Sequence, residues 1–337
     1  MDHNFDTLRH VLANFRLEGI RSGNVTRLKG GLSGSDVWQV ESPWGSFCLK
    51  CMPEGFSVQR ITAIHQAVTW RRDAGMKCLV GYCQATSGQT FVEHDGRIWE
   101  LQMWAKGEEP LPPYTNWQKT GMFQAVARFH RILQDTPHDR SQLAKSEGVS
   151  VRLDMLRTWR KHRLQELDPR LASYEHPRRK ELLSIILFAF QEYQHLLEPL
   201  LEEVGRHEYL VDQCIGDPRP ENFRFENHQI SALIDLGSMR RDNIALDISR
   251  LASEVSFQTP VDWQFTWDCI EVIRPLKEAE KHLAHVLDAA NVVLTGLKWV
   301  QWLLLDGYSF QNEELVDARL HHLCYRLREI DQHPAWK

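Results

Sequence analysis

The sequence has no excess of positive charge. Its 40 lysines and arginines are outnumbered by 45 aspartates and glutamates, leaving a formal net charge of -5, so no basic field marks it for nucleic acid. It has no clean apolar run long enough to span a bilayer. Leu182–Phe190 is too short and Val292–Leu305 is broken by Lys298 and Gln301, so both read as buried helices and no membrane contact is expected. The opening "MDHNFDTLRHVLANF" lacks a basic segment followed by an apolar core, which argues against a secretory signal. Cysteine is sparse too: seven residues, an odd number and scattered. That excludes a disulfide framework and suits reduced thiols in the cytoplasm. The pair Cys48 and Cys51 falls in "SFCLKCM", a strand pattern in which residues three apart face opposite ways. No second pair completes a zinc set, so structural thiols are the stronger reading. Internal repeats and low-complexity tracts are also lacking.

What is present is an ordinary globular composition, 42% apolar and 25% charged over 337 residues, enough for two domains or one domain of two lobes. The first part is rich in strand and turn signals. "NVTRLKGGLSGSDVWQVES" reads as strand, glycine turn, strand, and "PWGS" turns the chain into "FCLKCM". Ser57–Arg72 carries Ile61, Ile64 and Val68 at helical spacing, with Gly75 as its stop. "TFVEHDGRIWELQMW" predicts a hairpin about His94-Asp95-Gly96. After Trp104 the character changes. "AKGEEPLPPYTN" is a connector, and beyond it helical patterns dominate, except for a strand pair in "FRFENHQISALI". The expected domains are residues 1–104, β-rich, and 105–337, mostly helical.

Three separated segments bear chemistry. In "KGGLSGSDVW", Gly30, Gly31, Ser33 and Gly34 make a hairpin tip whose backbone N–H groups can approach phosphates because no Cβ intervenes. Alone, such a tip is more often just a turn, and no helix opens from it as in a P-loop. Lys50 lies in an alternating strand, facing with Cys48 away from Phe47 and Leu49; it either reaches solvent or faces an anion. In "CIGDPRPENFRFENHQISALIDLG", Asp217 can supply a base, and the short hairpin would hold Asn222 and Asp235 at neighbouring strand ends. Phosphoryl transfer needs such a set: hard oxygen ligands for a divalent metal, and a carboxylate to orient or deprotonate the attacking hydroxyl. Turn-capping beside Pro218 and Pro220 explains Asp217 or Asn222 singly, but not the set.

In the order glycine loop, strand lysine, connector, Asp-x4-Asn and a later Asp, the chain resembles the protein-kinase-like fold, and within it the aminoglycoside phosphotransferase and choline-kinase-like family. The residues that carry the resemblance are "GGLSGSDVWQV", "CLK", "IGDPRPENFRF" and "ALIDLGSMRRDNIALDISRLA". The resemblance implies an α+β, bilobal protein-kinase-like fold with a small antiparallel-sheet N-lobe and a mostly helical C-lobe. It implies ATP and Mg²⁺ as cofactors and transfer of the γ-phosphoryl group to a hydroxyl of a small molecule. In that reading Asp217 is the base, and Asn222 and Asp235 are metal ligands. Lys50 contacts the phosphates under the Gly30–Gly34 loop, the backbone of Gln102, Met103 and Trp104 pairs with adenine, and Asp247 braces the catalytic loop.

Two positions depart from the family pattern. Ile215 stands where its loops carry histidine, and Ser57–Arg72 has no glutamate to hold Lys50. The rival reading is therefore a catalytically impaired nucleotide-binding protein of the same fold. A protein kinase is disfavoured, because no Ala-Pro-Glu segment follows Asp235. The acceptor is open. Arg152, Arg157, Arg160, Lys161 and Arg163 read as a solvated helix face or as contacts to an anionic substrate. Asp212, Asp242 and Glu254 could line an acidic site. Trp263, Trp267, Trp299 and Trp302 read as core before they read as an aromatic cage.

Overall fold

The structure is a computed structural model that describes residues 5–28, 34–162, 167–256, 259–310 and 313–336. The chain divides into two compact units. The first comprises Met1–Pro110, Ile132–His138 and Glu221–Met239; the second comprises Leu111–Arg131, Asp139–Pro220 and Arg240–Lys337.

The first unit is built on an antiparallel sheet of β1 (Val25–Arg27), β2 (Asp36–Ser42), β3 (Gly45–Cys51), β4 (Val92–His94) and β5 (Arg97–Met103), in the order β1-β2-β3-β5-β4. The strand alternation in "FCLKC" is realised: Phe47, Leu49 and Cys51 are buried, whereas Cys48 and Lys50 face the other way, half-buried. A helix that the sequence reading missed, α1 (Phe5–Asn14), lays Leu8, Val11 and Leu12 on the apolar face among Trp38, Val40, Phe47, Leu49, Trp99 and Leu101. Burying each such side chain contributes about 2 kcal/mol. Helix α2 (Val58–Asp73) opens at Ser57, whose hydroxyl accepts from Arg60 N–H, and buries Ile61, Ile64 and Val68 as their spacing predicts. The β4–β5 turn has Asp95 and Gly96 at φ 51° and 69°, the left-handed pair that a two-residue hairpin demands.

A second hairpin in this unit, β8 (Phe223–Glu226) with β9 (Gln229–Leu233), turns through left-handed Asn227 and His228. It is stitched to the connector by Glu108 N–H to Phe225 O (2.8 Å) and Phe225 N–H to Glu108 O (2.9 Å). Gly107 makes this approach possible. Its φ is +101°, and a Cβ there would lie 2.8 Å from Phe225 O and collide with Ser231 Oγ.

In the second unit a short sheet, β10 (Arg240–Asp242), β7 (Tyr209–Cys214) and β6 (Gln142–Ala144), lies among helices. These are α3 (Asn116–Arg131), α4 (Glu147–His162), α5 (Leu167–Ala172), α6 (Pro177–Val204), α7 (Ala245–Val255), α8 (Trp263–Glu271), α9 (Glu278–Val300) and α10 (Glu313–Arg328). The two long apolar runs lie in α6 and in α9 with the π-helical turn Gln301–Leu305 that extends it. α6 and α9 approach so closely that a Cβ on Gly296 would lie 2.5 Å from Ile186. Among the described residues no helix is long and apolar enough to cross a membrane.

Gly107→Ala combines a disfavoured backbone with a clash against main chain. We expect a loss of about 3 kcal/mol, read as a lower urea midpoint at unchanged slope.

Candidate functional site

Lys50, Asn222 and Asp235 fall in the first unit. β3 carries Lys50, whose ammonium meets Asp235 Oδ1 at 2.6 Å while only 12% of the side chain is exposed. Burial pulls the ammonium pKa down, but Asp235 and then Glu100 outweigh it, so Lys50 is held above its ordinary value. Asp235 is left-handed, φ 55° and ψ 57°, at the end of β9. This conformation is tolerated by Asp and Asn more than by most residues. The preceding residue, Ile234, donates its N–H to Asn222 O at 2.9 Å. The β8–β9 register thus puts Asn222 and Asp235 at the same end of the hairpin. Their amide and carboxylate oxygens are hard donors of the kind Mg²⁺ takes, and the donor set fits that ion. Arg60 of α2 reaches the same segment, donating to Gly237 O at 3.1 Å.

Of the glycine loop, Gly30, Gly31 and Ser33 lie outside the described residues. Gly34 is left-handed, φ +73°. At the end of β5, Gln102 pairs with Cys48, and Trp104 N–H donates to Ser46 O at 2.9 Å. By strand alternation Met103, between them, turns its N–H and C=O away from β3. Met103 and Trp104 are exposed. Cys48 and Cys51 are not reactive thiolates, because burial pushes their thiols up to about 12 and about 11 respectively.

In the second unit β7 delivers the chain into Ile215-Gly216-Asp217. Gly216 is left-handed, φ 86°. The fully buried carboxylate of Asp247, in the first turn of α7, accepts Ile215 N–H through Oδ2 and Gly216 N–H through Oδ1, both at 2.8 Å. His130, near the end of α3, closes the network with Nε2 2.8 Å from Asp247 Oδ2. A carboxylate only accepts, so that nitrogen carries the proton. Cys214 lies beside them. His130, Cys214 and Asp247 have ligand atoms within 4.8 Å of one another. Yet the Cys214 thiol is held well above its ordinary pKa by burial and then by Asp247, and it donates to Asn243 O at 3.4 Å. The cluster is a satisfied hydrogen-bond network rather than a metal centre.

Asp217 Oδ1 accepts from Arg250 Nε at 2.7 Å. Arg250 also meets Glu254 at 3.0 Å, and Glu254 in turn meets Arg319 at 2.7 Å. The sequence reading missed Arg250 and His130, although both had a signal. Arg250 is three positions after Asp247 on α7, hence on the same face. His130 follows Val126 by four on the buried stripe of α3, where a polar residue needs a partner.

The remaining candidates are engaged elsewhere. Arg157 and Arg160 pair with Glu198 and Glu202 of α6. Arg152 donates to Gly148 O and Asn291 Oδ1, and Arg163 lies outside the described residues. Asp242 is buried and accepts from Gly148 and Asn243 N–H. Trp263 and Trp267 are buried and stack on each other, and Trp299 is buried against Trp302.

The phosphotransferase enzyme family matches residues 24–269, more than half of the chain. No curated protein matches it significantly. Among solved structures, an aminoglycoside phosphotransferase from Alicyclobacillus acidocaldarius is 16% identical over 96% of this chain and 95% of its own, with a TM-score of 0.58. A spectinomycin phosphotransferase in complex with ADP and spectinomycin is 13% identical over 98% and 100%, TM-score 0.67. A microcompartment-associated aminopropanol kinase is 14% identical over 99% of each chain, TM-score 0.63. At such identities the likeness is one of fold, the α+β protein-kinase-like fold. With the family match over most of its length, the chain belongs to the phosphotransferase enzyme family, whose members are small-molecule kinases acting on hydroxyl groups.

Proposed function

We propose that this enzyme transfers the γ-phosphoryl group of ATP to a hydroxyl of a small molecule, in the cytoplasm. The observation that carries this reading is the ion pair of Lys50 with Asp235 at 2.6 Å, beside Asn222 on one hairpin end. A strand lysine and a hard-oxygen pair on one hairpin are what binding a metal–nucleotide complex requires. Residues 1–104 supply the nucleotide contacts: Lys50 on the α- and β-phosphates, Gly30, Gly31, Ser33 and Gly34 over them, and the backbone of Gln102, Met103 and Trp104 on adenine. Residues 105–337 supply the catalytic loop, the metal ligands and the acceptor site. Asn222 and Asp235 hold Mg²⁺, which when bound neutralises charge on the phosphate oxygens. Asp217 orients the acceptor hydroxyl and takes its proton, and Arg250 fixes the carboxylate that does so.

Ile215 does not disarm this loop. Its hold comes from backbone N–H groups on Asp247, which any residue but proline at 215 supplies, and His130 contributes the imidazole. This supports turnover over a catalytically impaired binder. The solved relatives named above act on spectinomycin and aminopropanol, which sets the range of alcohols worth testing.

Asp217→Asn should lower phosphoryl transfer about a thousandfold while leaving the thermal shift induced by ATP intact; unchanged turnover would exclude Asp217 as the base. Asp247→Asn presents an amide N–H₂ to one of two loop donors. We expect a loss of about 3 kcal/mol in urea denaturation, together with reduced turnover. ATP with Mg²⁺ against a panel of amino alcohols, aminocyclitols and sugars should identify an acceptor. ATP binding with no transfer to any of them and no hydrolysis would favour the impaired binder.

A further inference from the structure

Kinases of this fold hold the strand lysine with a glutamate on the following helix. α2 has none, yet Lys50 is mostly buried and needs a lasting counter-charge. Asp235, its partner in the structure, is also the residue proposed to hold metal, so the two tasks compete for one carboxylate. The sheet contains another. Glu100 of β5 lies directly across the ladder from Lys50. Cross-strand partners in an antiparallel pair share a face, with Cβ atoms roughly 5 Å apart. Glu100 is buried, and its Oε2 lies 2.9 Å from Nε2 of His65 on α2. His65 is buried too, with Nδ1 2.7 Å from Thr90 Oγ1 and its ring stacked on Tyr82 at 3.4 Å between centroids. A histidine stands on the helix where the glutamate is missing, and the carboxylate it grips stands on the strand.

We propose that Glu100 is the counter-ion of Lys50 that α2 does not supply, and that His65 is the grip through which the helix holds it. Charge and brace have exchanged elements: the carboxylate has moved to β5, and the helix keeps its influence through the imidazole. Glu100 is a positioning residue. It keeps Lys50 aimed when Asp235 turns to metal, so its consequence for nucleotide rests on the phosphotransferase reading, while the pairing itself does not.

The pairing is tested by thermal unfolding in an Asp235→Asn background, with Lys50→Met, Glu100→Gln and both together. The two shifts should fail to add by about 2 °C or more; additive shifts would overturn the pairing whatever the protein binds. The consequence is tested by ATP titration, once with EDTA and once with Mg²⁺. Glu100→Gln keeps the length of the side chain and an oxygen for His65 but loses the charge, and should weaken ATP about tenfold with Mg²⁺ and less with EDTA, where Asp235 stays free to pair with Lys50. Glu100→Asp keeps the charge and shortens the reach. It should recover most of that affinity while being no more stable to heat than Glu100→Gln. A purely structural role would make affinity follow stability, with the aspartate the worse variant, and that order would refute the inference. A natural chain that binds no ATP in either buffer refutes the phosphotransferase reading, and the unfolding cycle still decides the pairing.

Discussion

The carboxylate of Asp247 is the fixed point of the second unit. It is fully buried, and a buried charge without partners is among the costliest things a fold can contain. Each of its partners is therefore constrained in turn. Ile215 and Gly216 must present adjacent N–H groups, which forces the left-handed turn at Gly216 and sets the direction in which Asp217 leaves it. His130 must keep Nε2 protonated and aimed, which fixes the end of α3. Asn243 extends the same economy. Its side chain accepts Ala245 N–H at the start of α7 and donates to Leu210 O and to Glu280, itself paired with Arg274. Strand β7, the loop and the start of α7 are thus held by polar groups that have nowhere else to bond.

Much of this was legible in the sequence, and the limits were physical. "FCLKC" and "RIWELQM" showed their strands through period-2 alternation, and Ser57 and Gly75 bounded α2 with ordinary capping chemistry. The hairpin holding Asn222 and Asp235 could be read from apolar runs about a turn. Helix α1 escaped because its ten residues carry only a short stripe, Leu8, Val11 and Leu12, and its stability comes from the sheet it covers. His130, Glu100 and Arg250 escaped for a different reason. Their partners lie 117, 35 and 33 positions away, and no local period reports a contact at that separation. A polar residue inside an apolar stripe, or within one helical turn of another candidate, was the available sign, and it announces the need for a partner without saying which.

The two departures from the family pattern illustrate a general point about such sites. What is required is a physical condition, not a residue at a position. The loop that bears Asp217 requires donors to a buried carboxylate and a brace behind it; backbone N–H groups satisfy the first and His130 the second, so position 215 is released to be apolar and is indeed buried. The strand lysine requires negative charge on its own face of the sheet. Across the ladder from Lys50 stand Val37 on β2 and Glu100 on β5, and of the two only Glu100 carries charge. A missing helix glutamate therefore signals loss of function only if no other element meets the same demand. Here α2 offers His65, buried and 2.9 Å from the buried Glu100, so that each offsets the other's loss of hydration.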